Sequence, residues 1–273
     1  MYLTLSNYLL YNKNMQKCTY LSESIKNGKL MRWTFMPLSV YIAPMKFYSK
    51  KGQDFKYNSL VKRALKEWET ATKGKVRFRI VNTLLESNVN IDWKRVERKA
   101  LGYCYFSYDP KGRLYGAEVS IGLSDGLVHQ DYNNESEVYH TILHEIGHAI
   151  GLGHSPFKQD IMYTPHQQGI CKVSPGDVRT INWLYTFPQG MTPSEIASKY
   201  GVQTSDIDDL VVKIITKESK SGFEKVKDEV ATRPTRDLLD ENEKLANIKK
   251  YHLAMQNIKI PSDVEEFLKK KNK

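Results

Sequence analysis

The sequence predicts an α+β domain followed by a small α-helical extension. Three observations carry that prediction. Short runs of β-branched and aromatic residues surround one long amphipathic pattern in the first half of the chain. A glycine-terminated helical stretch bearing three histidines, His144, His148 and His154, follows them. From Glu218 to Lys273 the composition shifts to lysine and glutamate with widely spaced leucines, broken at Pro234 and Pro261, as in solvated helices. With 273 residues, of which 40% are hydrophobic, the chain can bury one sizeable core and a smaller appendage.

Taken in order, residues 1–31 form an N-terminal segment with no assigned role. MYLTLSNYLL lacks an early lysine and is interrupted by Ser6 and Asn7, so it does not read as a secretory signal. Nowhere does an apolar run approach the roughly 20 residues of a membrane span. Trp33 to Ile42 reads as a first strand. Tyr57 to Thr72 reads as a helix, with Leu60, Val61, Leu65 and Trp68 at helical spacing and Lys73-Gly74 closing it. Val76 to Val81 and Asn88 to Trp93 read as strands. Ala100 to Ser107 and Leu114 to Ile121, joined by Asp109-Pro110-Lys111-Gly112, make an antiparallel hairpin.

The stretch HEIGHAIGLGH, His144 to His154, carries the chemistry. Asn134 with Glu137 forms a capping box for its helix, and Val138, Ile142, Ile146 and Ala149 give that helix an apolar stripe. His144 and His148, four residues apart, project from one helical face and can share a metal ion. Glu145 sits one residue round the helix, where a general base for a metal-activated water is needed. Gly151 can take the left-handed conformation that ends the helix, and Gly153 allows a second bend that returns His154 as a third ligand. Three neutral nitrogens leave a tetrahedral zinc one open position.

With His154-Ser155 and the later Met162-Tyr163-Thr164-Pro165, this stretch resembles the metzincin zinc endopeptidases, and within them the matrixins. The resemblance implies a twisted, mostly parallel sheet with an antiparallel edge strand, an active-site helix, and a Met-turn placing Met162 beneath the metal. It implies a catalytic zinc ion and a protein or peptide substrate; the histidine and aspartate loop with which matrixins of the animal type hold a second zinc and calcium is not found in this sequence, so only the one catalytic zinc is expected. By the same resemblance the strand through Gly102, Tyr103 and Cys104 is the sheet edge above the cleft, where an extended peptide adds as a strand; its alternative is another core strand. Tyr163 and Pro165 belong to the substrate pocket wall, whose shape the inserted Thr164 changes. The implied catalytic domain spans 32–187.

Ser174 to Tyr185 reads as the closing helix, with Ser174 as cap, Pro175 in its first position and Asp177 at its positive end. Phe187-Pro188-Gln189-Gly190 then reads as a linker to a helical extension over 191–273. In it Thr192 and Glu195 form a capping box for a helix stopping at Gly201, and another helix starts after Thr204. This pair is faintly similar to part of a LysM glycan-binding module or a helix-turn-helix, beside the plainer reading of a helical hairpin. Ending the chain at Gln189 is expected to spare peptide hydrolysis, because every residue assigned to the metal lies upstream.

The net charge of +10 favours acidic neighbours, but dispersed basic residues with no reading motif give no expectation of nucleic acid. Cys18, Cys104 and Cys171 form no regular framework and read as free thiols. In matrixins a prodomain cysteine can block the zinc, but NMQKCTY around Cys18 lacks the family's surrounding pattern. The expectation is a monomeric zinc endopeptidase. Its alternative is a non-catalytic, zinc-stabilised binding protein whose basic helical tail attaches it to an acidic or glycan surface. Localisation is divided: the sequence offers no export signal, whereas the resemblance implies an extracellular protein.

Overall fold

The computed structural model describes residues 18–45, 53–95, 101–123 and 135–218, without the side chains of 53–55. The chain divides into two units, Met1–Lys217 and Glu218–Lys273, the second of which lies outside the described residues apart from Glu218. The described part opens with β1 (Ile25–Lys26) and β2 (Lys29–Leu30), an antiparallel hairpin turning at Asn27-Gly28. Both turn residues hold positive φ, 52° and 73°, the conformation for which an Asn-Gly pair is favoured.

Next come β3 (Leu38–Ile42), helix α1 (Gln53–Ala71), β4 (Phe78–Val81), β5 (Val89–Arg95), β6 (Gly102–Tyr108) and β7 (Leu114–Leu123). They form a five-stranded sheet in the order β4-β3-β5-β7-β6. All its pairings are parallel except that of β6 with β7, so β6 is an antiparallel edge strand. This is the α+β architecture expected. The first strand begins at Leu38 rather than Trp33: Pro37 has no N–H for a ladder, and Trp33 instead turns into the core, its Nε1–H donating to Ala149 O at 2.8 Å.

Helix α2 (Glu135–Ala149) packs against β6, β7 and α1. Its stripe of Val138, Ile142, Ile146 and Ala149 is buried with Leu60, Val61, Leu65 and Trp68 of α1 and with Val40, Ile91, Val119 and Ile121 of the sheet. Burying such side chains stabilises a fold by about 1.5–3 kcal/mol each. Trp68 also fixes the helix directly, donating from Nε1 to Leu143 O at 3.1 Å. Asn134 of the expected capping box lies outside the described residues.

Helix α3 (Pro175–Leu184) starts with the Ser174–Asp177 capping box, and α4 (Pro193–Lys199) with that of Thr192 and Glu195. A last helix, α5, covers 207–218. The boundary expected at 191 falls inside the first unit. Ile196, Ile207, Leu210, Val211 and Ile214 are buried in the same core as the sheet, so residues beyond Gln189 cannot be removed without opening that core. The buried Asp208 carboxylate also accepts from Thr19 Oγ1 and Leu21 N, both at 2.7 Å, and from the Ser22 hydroxyl and amide, tying the two ends of the unit together.

Candidate active site

Helix α2 stops at Ala149, and Gly151 just beyond it, with φ of +105°, reverses the chain as expected. Gly153 has a further role: a Cβ there would lie 2.3 Å from Glu23 Cβ, so the missing side chain lets the N-terminal segment pass beside His154. The three histidines meet. His148 Nε2 lies 3.1 Å from His144 Nε2 and 3.2 Å from His154 Nε2. A tetrahedral zinc with ordinary Zn–N bonds of about 2.0–2.1 Å spaces its nitrogens by about 3.3 Å, so the spacing fits.

The protonation pattern fits as well. His144 Nδ1–H donates to Ile161 O and His148 Nδ1–H to Leu152 O, each at 2.8 Å, which leaves both Nε2 lone pairs facing the centre. Burial pushes the pKa of His144 down to about 4 and that of His148 to about 3, and lowers that of His154. These imidazoles are neutral near pH 7, the form in which a histidine can bind a metal.

Glu145 is only 5% exposed, and its Oε2 has no hydrogen-bond partner among the described residues. Burial pushes its carboxyl up to about 8. An orphaned carboxylate oxygen beside three converging nitrogens is the setting expected where a cation and a water are handled. Strand β6 comes close to it: a Cβ on Gly102 would lie 2.7 Å from Glu145 Oε1 and 2.8 Å from Thr141 Cγ2. Glycine at 102 is therefore a packing requirement of the site.

Met162 is fully buried, and a Cβ on Gly147, between His144 and His148 in the helix, would lie 2.2 Å from its sulfur. The turn is held from below. Ser155 Oγ donates to Asp160 Oδ2 and Ser174 Oγ to Asp160 Oδ1, both at 2.5 Å, while Asp177 accepts from Ile161 N and the Tyr20 hydroxyl. Ser155, noted in the sequence only as the neighbour of His154, thus anchors the loop that carries Met162.

A cleft of about 650 Å³ runs over these residues. Gly102, Tyr103, Cys104, Tyr163 and Pro165 all line it, with Thr164 between the last two. Sequence reasoning missed Glu137, His140, Thr141, His166 and Gln168, which also line it. The helical period places 137, 140, 141 and 144 on one face, a signal available in the sequence. Cys18 is not among the lining residues; its carbonyl accepts from Arg179 Nε. All three cysteines are free, and burial raises the pKa of each thiol.

The matrixin family model matches residues 41–186, just over half of the chain. The chain belongs to the matrixin family. Matrixins are zinc-dependent peptidases, generally extracellular, and the three-histidine group of this matrixin is one that could hold a metal ion. Among its described residues no helix is long and apolar enough to cross a membrane. A protein of Heliothis virescens ascovirus 3e named "Putative matrix metalloproteinase" is 26% identical to this matrixin over 160 residues, covering 50% of the chain. The match spans about a third of that relative's own length.

Proposed function

We propose that this chain is a zinc endopeptidase in which His144, His148 and His154 hold the ion and Glu145 is the general base. The observation that carries the reading is the convergence of three neutral Nε2 atoms beside a buried carboxylate whose Oε2 is unpartnered. Zinc, when bound, supplies a Lewis acid that polarises the peptide carbonyl and acidifies the attacking water.

The rest is the work of the protein's own groups. Antiparallel pairing alternates along β6, and Gly122 N donates to Leu101 O, so Gly102, Cys104 and Phe106 turn their backbone groups to the open edge. A peptide laid there as an added strand is held by its main chain whatever its side chains. Tyr103 pairs inward with Ser120, so its part in binding is through its place in the cleft wall. Glu145 Oε2 accepts a proton from the attacking water and delivers it to the leaving amine. Met162 supplies an apolar floor and takes no part in proton transfer.

Glu145→Gln tests the reading. The amide keeps the size and hydrogen-bonding capacity of the side chain but cannot accept the proton, so peptide cleavage should fall by about 10²- to 10⁴-fold while zinc stoichiometry is unchanged. Cleavage at the parent rate by the glutamine variant would overturn the mechanism and favour a zinc-stabilised binding protein.

A further inference from the structure

The sheet has two outer strands. One, β6, borders the cleft; the other, β4, lies four strand spacings, or about 19 Å, away. After β4 a short 3-10 turn, Leu84–Glu86, carries the chain on to β5. Leu85 at its centre is 99% exposed, Leu84 51% and Ile80 45%. They are the exposed large aliphatic side chains among the described residues, and all lie between positions 80 and 85.

Cations flank them. From Thr72 to Asn88 the chain carries Lys73, Lys75, Arg77 and Arg79 against one acid, Glu86. All four cations are exposed, and among the described residues none of them is in an ion pair. Lys75 Nζ donates to Asn182 O and Thr186 Oγ1, and Arg79 Nη2 to Ser39 Oγ, neutral acceptors that leave both charges uncompensated.

Three features decide what this surface fits. Strand addition is blocked at Phe78, whose outward amide already donates to Glu69 Oε1 at 2.9 Å. A second copy would set like charges against each other along the same edge. Leu85 protrudes almost clear of the protein, so a rigid partner needs a pocket shaped to it, whereas the interface of a bilayer accepts any aliphatic tip.

We propose that the β4 edge and the turn bearing Leu84 and Leu85 attach this matrixin to an anionic lipid bilayer, the leucines entering the interface and the four cations meeting the headgroups. Apolar insertion and attraction to anionic lipid are each weak, and together they hold a protein that among its described residues has no membrane-spanning helix. Because β4 and β6 are opposite edges of one sheet, attachment through β4 leaves the cleft edge turned away from the bilayer.

The test mixes the full chain with vesicles of phosphatidylcholine alone, or of equal parts phosphatidylcholine and phosphatidylserine, and sediments them. Binding to the anionic vesicles should be tighter by about tenfold or more. Leu85→Ser removes a side chain that holds nothing in the fold and should weaken anionic binding about tenfold. Lys73→Gln combined with Arg77→Gln should do the same, and spares Lys75 and Arg79, which bond the fold. In Leu85→Trp, brominated acyl chains should quench the fluorescence more than in the parent. No preference for anionic vesicles, or quenching no greater than the parent's, overturns the proposal. Binding unchanged in both sets of variants also overturns it and assigns attachment to the lysine-rich residues 218–273. Loss of a dimer in Leu85→Ser, with vesicle binding intact, would make the turn a contact between copies instead. No readout uses cleavage, so each of these failures leaves the protease reading standing.

Discussion

Glu145 gives a test of the site that does not depend on turnover. Its carboxyl is buried and raised to about 8 from an ordinary value of 4.5. Between those two values the folded chain holds a proton that the unfolded chain has released, so stability should fall as pH rises through this window. Across it, stability changes by about 1.4 kcal/mol per pH unit, so the full effect is on the order of 5 kcal/mol, reached above pH 8 and absent below pH 4.5. Glu145→Gln removes the titration and replaces it with a constant cost for a buried amide. The expected result is a stability difference between variant and parent that grows in the variant's favour by about 1 kcal/mol per pH unit from about pH 5 to about pH 8. The assay is urea unfolding of the chelator-treated proteins at several pH values. The lowered histidines titrate in both proteins and cancel in the difference. Zinc should flatten the slope, because a nearby cation favours the ionised carboxylate. A difference constant to within about 0.5 kcal/mol across that range would show Glu145 to be solvated and the burial argument wrong.

Three further outcomes are expected. His154→Ala should sharply reduce bound zinc measured by metal analysis after dialysis, since an open catalytic site has no spare ligand; full zinc content would remove His154 from the ligand set. Gly147→Ala places a methyl 2.2 Å from the Met162 sulfur and 3.2 Å from Trp68 Cζ2 in a closed core, so it should cost about 1–3 kcal/mol in chemical denaturation, and a neutral result would show that the floor yields freely. Asp208→Ala leaves the buried donors Thr19 Oγ1 and Leu21 N unmatched, at about 1–3 kcal/mol each; a midpoint within error of the parent would show that the clamp contributes nothing.

The three-histidine group was legible because local rules decide it. Histidines four apart share a helical face in any helix, and Gly151 and His154 follow at fixed offsets along the chain. The caps of α3 and α4 were legible for the same reason, since Ser174 with Asp177 and Thr192 with Glu195 are bonded within three residues. What sequence reasoning lost depends on contacts between distant segments. Glu23 beside Gly153, Met162 against Gly147 and Glu145 against Gly102 are close approaches in which a glycine marks the place but not the partner. The place of Glu137 in the cleft wall was hidden for another reason: it read as half of a capping box, although its carboxylate meets His166. Residues 18–31 were left without a role because an Asn-Gly turn between two-residue strands has too little flanking pattern to register as a hairpin.

The Asp208 clamp has a consequence for biosynthesis. It joins residues separated by 186 to 189 positions, and the segment it secures, through Glu23, runs beside His154. A chain emerging from the ribosome has all three histidines in place long before Asp208 is made, and until then the 18–24 segment lacks its four bonds to that carboxylate and keeps only such anchors as Tyr20 to Asp177 and Arg179 to the Cys18 carbonyl. Contacts this remote in sequence form late, because the intervening chain must be closed first. The loop around His154 should therefore gain its full protease resistance only in nascent chains long enough to expose Asp208. Equal protection in chains arrested before that residue would show that the segment docks without the clamp.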